Sequence, residues 1–305
     1  MTSLQAITEG LQFPEGPIAM PDGSIILVEI ARGTLTRVHK AGKKEVIADL
    51  GGGPNGAAIG PDGACYICNN GGFNWEKDAS SGYLRPIGQS DDYVTGRIER
   101  VDLETGKVER LYDTCGENRL NGPNDLVFDK SGNMWFTDLG KARDRDMDRG
   151  AVYWARADGS EIREVIQPIT TPNGIGLSHD EKTLYVAETE GARLYGFQIT
   201  EDATVEKLPF PRSVNGGRLV TCDGGFRRFD SLALEASGNI LRCHSYDGRD
   251  YNCEPGRGNI RLPRDRRSLH HKYLFWWIGS KNCFFDFILA WHFSILPMGK
   301  TRHAP

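Results

Sequence analysis

Four residues with side-chain oxygens open repeated segments of this 305-residue chain. They are two carboxylates and two carboxamides: Glu15, Asn124, Asn173 and Asp230. Such oxygens suit a hard divalent cation such as calcium better than zinc. Any one of them could instead be a turn former, since Asn and Asp are common between strands. Glu15 favours the metal interpretation, because glutamate is a poor turn residue and here lies in the rigid context PEGP. We therefore predict one divalent metal ion, calcium first, with zinc, manganese or magnesium as alternatives.

The predicted ligands share a sequence context that occurs five times. Each copy begins with a carboxylate or carboxamide, runs through a short alternating strand, turns on a pair such as Asp-Gly, and enters a second apolar strand. This pattern is typical of a β-hairpin. The copies begin at Glu15, Asn55, Asn124, Asn173 and Asp230. Asn55 is left out of the predicted ligand set, because small residues surround it.

A second alternating pattern lies between the copies and predicts another antiparallel pair in each unit. It begins at Gly33, Gly96, Gly150 and Ala192. Two hairpins give four strands, and four-stranded units that start about 40 to 70 residues apart predict an all-β propeller. In a propeller the innermost strands line a channel, so equivalent strand ends from different blades meet at one mouth. This fold would therefore collect the four oxygen-bearing side chains at one point.

Composition and local motifs exclude several function classes. A net charge of −4 gives no electrostatic footprint for nucleic acid. The amino terminus lacks the features of a signal peptide, and no apolar run before Ile240 approaches membrane-spanning length. We expect a cytoplasmic protein with neither a nucleic acid nor a membrane partner. A GxSxG motif is absent from the sequence, which disfavours a serine nucleophile. Cys65 and Cys68 form a CxxC, but strand alternation puts them on opposite faces and favours a structural role.

One long insertion interrupts the second unit between its two hairpins. It runs from Gly71 to Tyr93 and contains Phe73 and Trp75. Long loops in compact domains are often lids or disordered segments. A cap over the channel mouth and a simple surface excursion are both consistent with this sequence.

Several ordered motifs resemble the SMP-30/gluconolactonase/LRE-like family of six-bladed propellers. They are EGP near the start, PND followed by FTD, PNG before a strand, and a late FDSLALE, within residues 11–240. Calcium-dependent sugar lactonases belong to this family. The resemblance implies that Glu15, Asn173 and Asp230 hold the metal. It also implies that Asn124 binds metal or substrate, and that Asp125 supports the site from behind it and contributes to substrate binding.

The chemistry implied by the resemblance is hydrolysis of a lactone, from a sugar or sugar acid. A divalent cation can polarise the lactone carbonyl and lower the pKa of a bound water. Asp230 is the first candidate for the general base and Glu15 the second, because a carboxylate at the metal can accept a proton within one hydrogen bond. Two alternatives stay open. One is hydrolysis of a phosphotriester at the same metal site, and the other is a noncatalytic propeller that binds calcium or a protein partner.

The repeated pattern ends at Ile240. Beyond it, alternation fades and five of the seven histidines occur. Three segments of this tail can be encoded by DNA that, when its reading frame is shifted one base downstream, encodes sequence motifs typical of the family's last blades. We therefore predict a propeller domain at 1–240, which would contain blades 1 to 4 and about half of the fifth. Residues 241–305 would form an aberrant tail produced by a frameshift. The alternative is a tail that is truly divergent in sequence. The last blade or blades would be missing or disrupted, and we expect this exact chain to be poorly soluble or inactive.

Overall fold

The computed structural model describes residues 7–79, 82, 84–222, 227–234, 240–245 and 294–296, and for 241–245 and 294–296 it describes the backbone. All regular elements of these residues are β-strands. Within the same ranges, no helix has the length and hydropathy needed to cross a membrane. In chain order the strands are β1 (Pro14–Ala19), β2 (Ile25–Glu29), β3 (Thr34–Val38), β4 (Lys44–Asp49), β5 (Pro54–Ile59), β6 (Cys65–Asn69), β7 (Phe73–Lys77), β8 (Leu84–Gln89), β9 (Arg97–Val101), β10 (Val108–Tyr112), β11 (Thr114–Cys115), β12 (Asn118–Arg119), β13 (Pro123–Phe128), β14 (Asn133–Asp138), β15 (Gly150–Arg156), β16 (Ile162–Ile169), β17 (Pro172–Leu177), β18 (Thr183–Glu188), β19 (Arg193–Gln198), β20 (Arg218–Cys222), β21 (Arg228–Leu234), β22 (Ile240–Ser245) and β23 (Ser294–Leu296).

Four antiparallel sheets of four strands follow one another along the chain. Their strand orders are β1-β2-β3-β4, β5-β6-β9-β10, β13-β14-β15-β16 and β17-β18-β19-β20. A fifth sheet has the order β21-β22-β23. In these sheets, neighbours in space are consecutive in the chain, as expected of two consecutive hairpins, except that the β7–β8 hairpin is inserted between β6 and β9. The predicted all-β fold built from such units is confirmed.

The first strands of successive sheets lie side by side. β1 contacts β5, β5 contacts β13, β13 contacts β17, and β17 contacts β21. Glycines after the oxygen-bearing residues permit this approach: a Cβ on Gly16 would lie 2.7 Å from Ala57 N, and one on Gly174 would lie 2.6 Å from Asp230 O. The sheets are therefore arranged as propeller-like blades around their first strands.

Apolar side chains fill the spaces between successive sheets. Second strands such as β2 and β6 are buried along their whole length, and the two faces of β6 lie in clusters shared with the first and the third sheets. Cys65 and Cys68 lie in two different apolar clusters, on opposite faces of β6, which confirms the prediction from alternation. The clusters join residues of successive sheets: Ile26 with Ile67, Tyr66 with Leu126 and Phe136, Trp135 with Ile175, and Tyr185 with Phe229.

The predicted boundary at Ile240 lies inside the fifth sheet. β22 starts at this residue and pairs with β21 on one side and β23 on the other. Most of the predicted aberrant tail, residues 246–293 and 297–305, lies outside the described residues. The division into a domain at 1–240 and a tail at 241–305, and the frameshift, stay predictions.

Candidate metal centre

The candidate ligands occupy matching positions on the first strands of four sheets. Glu15, Asn124 and Asn173 each follow a proline that begins the strand. Proline is tolerated at the first residue of a strand because no ladder hydrogen bond from its nitrogen is needed there. Asp230 is the third residue of β21.

A register irregularity marks the same place in each first strand. The pairing with the second strand shifts between Glu15 and Ile18 in β1, and equivalent shifts enclose Asn124, Asn173 and Asp230. Such irregularities bend the strand and re-aim a side chain, and they are frequent next to active sites. Asn55 lies in an equivalent shift of β5, so the copy that was left out of the predicted ligand set has the same local geometry.

The carboxylates of Glu15 and Asp230 lie close enough for their charges to interact. Burial raises the pKa of Glu15 well above its ordinary value, and the charges of Asp230 and Asp125 raise it further; the Gly16 N–H, which donates to Oε2 at 3.3 Å, opposes this. Burial also raises the pKa of Asp230, to about 7, although a hydrogen bond from the Asn173 carboxamide acts to lower it. Carboxylates from the first, third and fifth sheets thus share one poorly hydrated region.

Asn173 brings an unsatisfied acceptor to this region. Its side chain is 6% exposed, and its Nδ2 donates to Thr189 Oγ1 at 3.2 Å. Its Oδ1 is buried and has no hydrogen-bond donor among the described residues. Buried oxygens are nearly always paired, so an orphaned carbonyl oxygen beside two carboxylates fits a cation ligand.

The donor set therefore fits a hard divalent cation. It combines the carboxylates of Glu15 and Asp230 with the carboxamide oxygens of Asn173 and Asn124. Asn124 is a buried residue of β13. In the part of the chain that the structure describes, no three His, Cys, Asp or Glu side chains form a metal-binding group by themselves. Any such site thus depends on the carboxamides, as the sequence predicts.

Asp125 connects the third sheet to the fourth. It stands where three of the other copies have glycine and the fifth has Ser231. Its Oδ2 accepts from Ile175 N at 3.4 Å, and its Oδ1 accepts from Leu126 N at 2.9 Å. Thr137 completes the link, since its Oγ1 donates to Asn173 O at 2.6 Å and accepts from Asp125 N at 3.2 Å. Asp125 thus supports the backbone next to Asn173, and a contact of Asp125 with substrate stays a prediction.

A further set of site residues was not predicted from the sequence. The second strands end in a carboxylate or carboxamide that accepts backbone N–H groups just before the first strand. This brace fixes the segments that lead to Glu15, Asn55, Asn124 and Asn173. The pairs are Glu29 with Gln12 N at 2.7 Å, Asn69 with Gly53 N at 2.9 Å, Asp138 with Asn121 N at 2.7 Å and Gly122 N at 2.6 Å, and Glu188 with Thr170 N at 3.0 Å. The signal was present in the sequence, because the first four hairpin copies end in Glu, Asn or Asp.

Comparison with known protein families identifies the family of this chain. A model of the SMP-30/Gluconolactonase/LRE-like region matches residues 13–264. The chain belongs to this family. The resemblance predicted from the EGP, PND, PNG and FDSLALE motifs is confirmed. The match continues past Ile240 and does not test the predicted frameshift.

Curated relatives within the SMP-30/gluconolactonase/LRE-like family are lactonases by name. Lactonase drp35 of Staphylococcus saprophyticus is 30% identical over 214 residues, which cover 69% of this chain and 58% of that protein. Gluconolactonase of Zymomonas mobilis is 26% identical over 212 residues, covering 63% of this chain and 53% of that protein. The chain thus spans somewhat more than half the length of these two relatives.

Solved structures of similar proteins agree with the fold. A gluconolactonase from Xanthomonas campestris superimposes with a TM-score of 0.58 at 20% identity, covering 79% of this chain and 74% of that one. Regucalcin from Agrobacterium tumefaciens, a calcium-binding protein, gives a TM-score of 0.57 at 20% identity, covering 80% and 71%. At this identity the likeness shows a shared fold.

Proposed function

We propose that this protein hydrolyses a lactone of a sugar or sugar acid, with a divalent cation, calcium first, held by Glu15, Asn124, Asn173 and Asp230. One observation carries the proposal: the buried carboxyl groups of Glu15 and Asp230 interact electrostatically, and Asp230 accepts a hydrogen bond from Asn173, whose buried side-chain oxygen has no donor among the described residues. The names of the relatives, lactonase and gluconolactonase, support the reaction class.

The chain's own residues would divide the work as follows. When bound, the cation supplies Lewis-acid polarisation of the lactone carbonyl and acidifies water. Asp230 accepts a proton from the attacking water, whose oxygen bonds to the acyl carbon. The ring C–O bond then breaks, and the proton passes to the departing alkoxide to give the open hydroxy acid. Asp125 and Thr137 hold the backbone of Asn173, so that its side chain stays in place.

The complete fold that we propose is a six-bladed propeller. The four four-stranded sheets would be blades 1 to 4, and the three-stranded sheet would be part of the fifth. The last blade or blades would be missing or disrupted by the frameshift, which would leave sheet edges exposed and this chain inactive or poorly soluble. Sequencing of the coding DNA tests this: a downstream frame that does not encode further blade motifs removes the frameshift.

Calcium-titrated turnover tests the function. The full chain and a frame-restored version are assayed, after chelation, with gluconolactone, other aldonolactones and a phosphotriester. We expect calcium-dependent acid release from a lactone, abolished by Glu15→Gln and Asp230→Asn. Turnover of the phosphotriester alone would favour the alternative hydrolase, and calcium binding without turnover by the restored chain would favour a binding module. An Asp230→Ala protein that binds calcium and keeps lactonase activity would remove Asp230 as the base.

A further inference from the structure

The β7–β8 hairpin leaves the second sheet at the end where the candidate ligands lie. It follows β6, whose last residue, Asn69, pairs with Pro54 at the start of β5. Gly71 and Gly72 connect β6 to β7 and have φ values of +82° and +101°. The Gly72 N–H donates to Asn70 Oδ1 at 2.8 Å. Glycine is suited to these positive φ values, so the chain can turn sharply out of the sheet here. The hairpin therefore begins beside the candidate metal centre.

One side of this hairpin packs against the first sheet through aromatic rings. The Trp75 ring lies 5.0 Å from the Phe13 ring and 5.9 Å from the Phe73 ring, measured between centroids. Phe13 is two residues before Glu15. All three aromatic side chains are partly exposed. We call Phe13, Phe73 and Trp75 the aromatic wall.

The other side of the hairpin is held by a buried cation from the third sheet. Lys141 Nζ lies 5.1 Å from the Phe73 ring centroid and 4.6 Å from that of Tyr93, and Lys141 is 6% exposed. This ammonium has no hydrogen-bond acceptor among the described residues. A desolvated ammonium over aromatic faces is a strong form of cation–π contact. The Lys141 ammonium thus holds the Phe73 ring in place, and it is neither a candidate metal ligand nor the candidate base.

Both anchoring points lie at the ligand end of their sheets. Lys141 follows Asp138, which pairs with Pro123 directly before Asn124. Phe13 precedes β1 and Glu15. A hairpin from the second sheet therefore spans from the first sheet to the third on the side where the ligands begin their strands. This placement makes it a fixed side of the candidate centre, held at two points.

We propose that the aromatic wall is a substrate-binding surface that takes the carbon-rich face of a substituted lactone ring, and that Lys141 is the positioning residue that fixes it. The substrate class rests on the proposed lactonase function. Partly exposed aromatic rings bury apolar area at low entropic cost, whereas the candidate metal centre offers only polar contacts. The wall thus selects lactones with carbon substituents over unsubstituted ones.

Hydrogen exchange tests the role of Lys141 without any lactone. In Lys141→Met, amides of β7 and β8 should exchange about tenfold faster than in the parent, because a desolvated cation–π contact is lost. Lys141→Arg should restore protection. The matched control is Arg163→Met, which removes a similar contact with Trp154 at 4.1 Å elsewhere on the third sheet. Unchanged exchange in Lys141→Met, or the same increase in the Arg163→Met control, overturns the positioning role.

Steady-state kinetics test the wall as a specificity surface. Trp75→Ala should raise KM about tenfold for alkyl-substituted or sugar lactones and leave γ-butyrolactone unchanged, with kcat preserved. Equal effects on both lactones, or no effect, would refute selection by the wall. The parent in these kinetics is the frame-restored chain; if it hydrolyses no lactone, the proposed function fails first, and the exchange experiment still decides whether Lys141 fixes the hairpin.

Discussion

At the scale of single residues, the candidate centre combines groups that repel one another. Burial raises the pKa values of Glu15 and Asp230, the charge of Asp230 raises the pKa of Glu15 further, and the charge of Asp125 adds to both shifts. A folded-state pKa above the unfolded value means that ionisation of these carboxyl groups costs stability as pH rises through the folded pKa. The metal-free protein therefore carries repulsion that a bound cation would relieve.

Replacement of Glu15 by Gln should separate the repulsion between the buried carboxylates from the stabilisation by a bound cation. In chelator, Glu15→Gln should unfold at the same or a higher temperature than the parent at pH 8, with a gain of about 1 kcal/mol, because one of the mutually repelling carboxylates is gone. In calcium, the parent should gain stability and the variant should not. Thermal unfolding with and without calcium measures both. A variant that calcium still stabilises as strongly as the parent would exclude Glu15 as a ligand.

The residue types of the centre were predictable, while its supports were not. Glu15, Asn173 and Asp230 could be found because their identity and their place after a repeated turn are visible in the sequence. Glu29, Asp138 and Thr137 act through backbone groups of segments far away in sequence, such as Gln12, Gly122 and Asn173. The Glu or Asp at the end of a hairpin copy is visible in the sequence, but its partners are not. Glu29 and Asp138 accept from the segment that precedes the first strand of their own sheet, and the Thr137 contact depends on how the third and fourth sheets approach.

At the scale of elements, first strands carry the ligands because they bend and pack closely. Period-two alternation predicted the hairpins, including β13–β14 and β17–β18, since that pattern follows directly from burial of the strand faces. The register shifts at the ligands were not predicted, because a bulge leaves no mark in an alternating pattern of this length. The β7–β8 hairpin falls in a segment for which the sequence left cap and surface excursion open.

Close packing of β17 on β21 predicts a strong effect of Gly174→Ala. The new Cβ would lie 2.6 Å from Asp230 O, which is backbone and cannot move aside cheaply. We expect a loss of about 1–3 kcal/mol in the free energy of unfolding and weaker calcium binding, since Asn173 and Asp230 would move apart. Gly196→Ala on β19 is the control, because its Cβ would meet only side-chain atoms at 3.3–3.5 Å. Chemical denaturation and calcium titration compare the two; equal effects would exclude close strand packing as the cause.

Titration of Lys141 predicts a pH-dependent change in the hairpin. Burial lowers the pKa of Lys141 to about 8, and the charges of Asp138 and Asp148 oppose that shift. As pH rises through this value the ammonium loses its proton, and with it the attraction to the Phe73 and Tyr93 rings. Acrylamide quenching assigned to Trp75, from the difference between the parent and Trp75→Phe, should therefore increase from pH 7 to pH 10. Lys141→Arg should stay constant; a parallel increase in that variant would point to a different titrating group.

At the scale of the whole molecule, the sheets follow one another in chain order, so the candidate centre depends on all of them at once. Its proposed ligands come from the first, third, fourth and fifth sheets, separated by 215 residues between Glu15 and Asp230. The repeat made this convergence predictable, because equivalent positions of equivalent units meet when the units pack side by side. The completion of the ring was not predictable in the same way, since the repeated pattern stops at Ile240.

Calcium should consequently stabilise separate sheets together. A ligand at 100 times its Kd adds about 2.7 kcal/mol to the free energy of unfolding when it binds only the folded state. Hydrogen exchange with and without calcium should show increased protection at the starts of β1, β13, β17 and β21 in concert, because one cation would connect all four. Glu15→Gln should abolish the increase in every sheet. Protection confined to one sheet, or retained in that variant, would mean that calcium binds at a local site and that the ring of first strands does not share a cation.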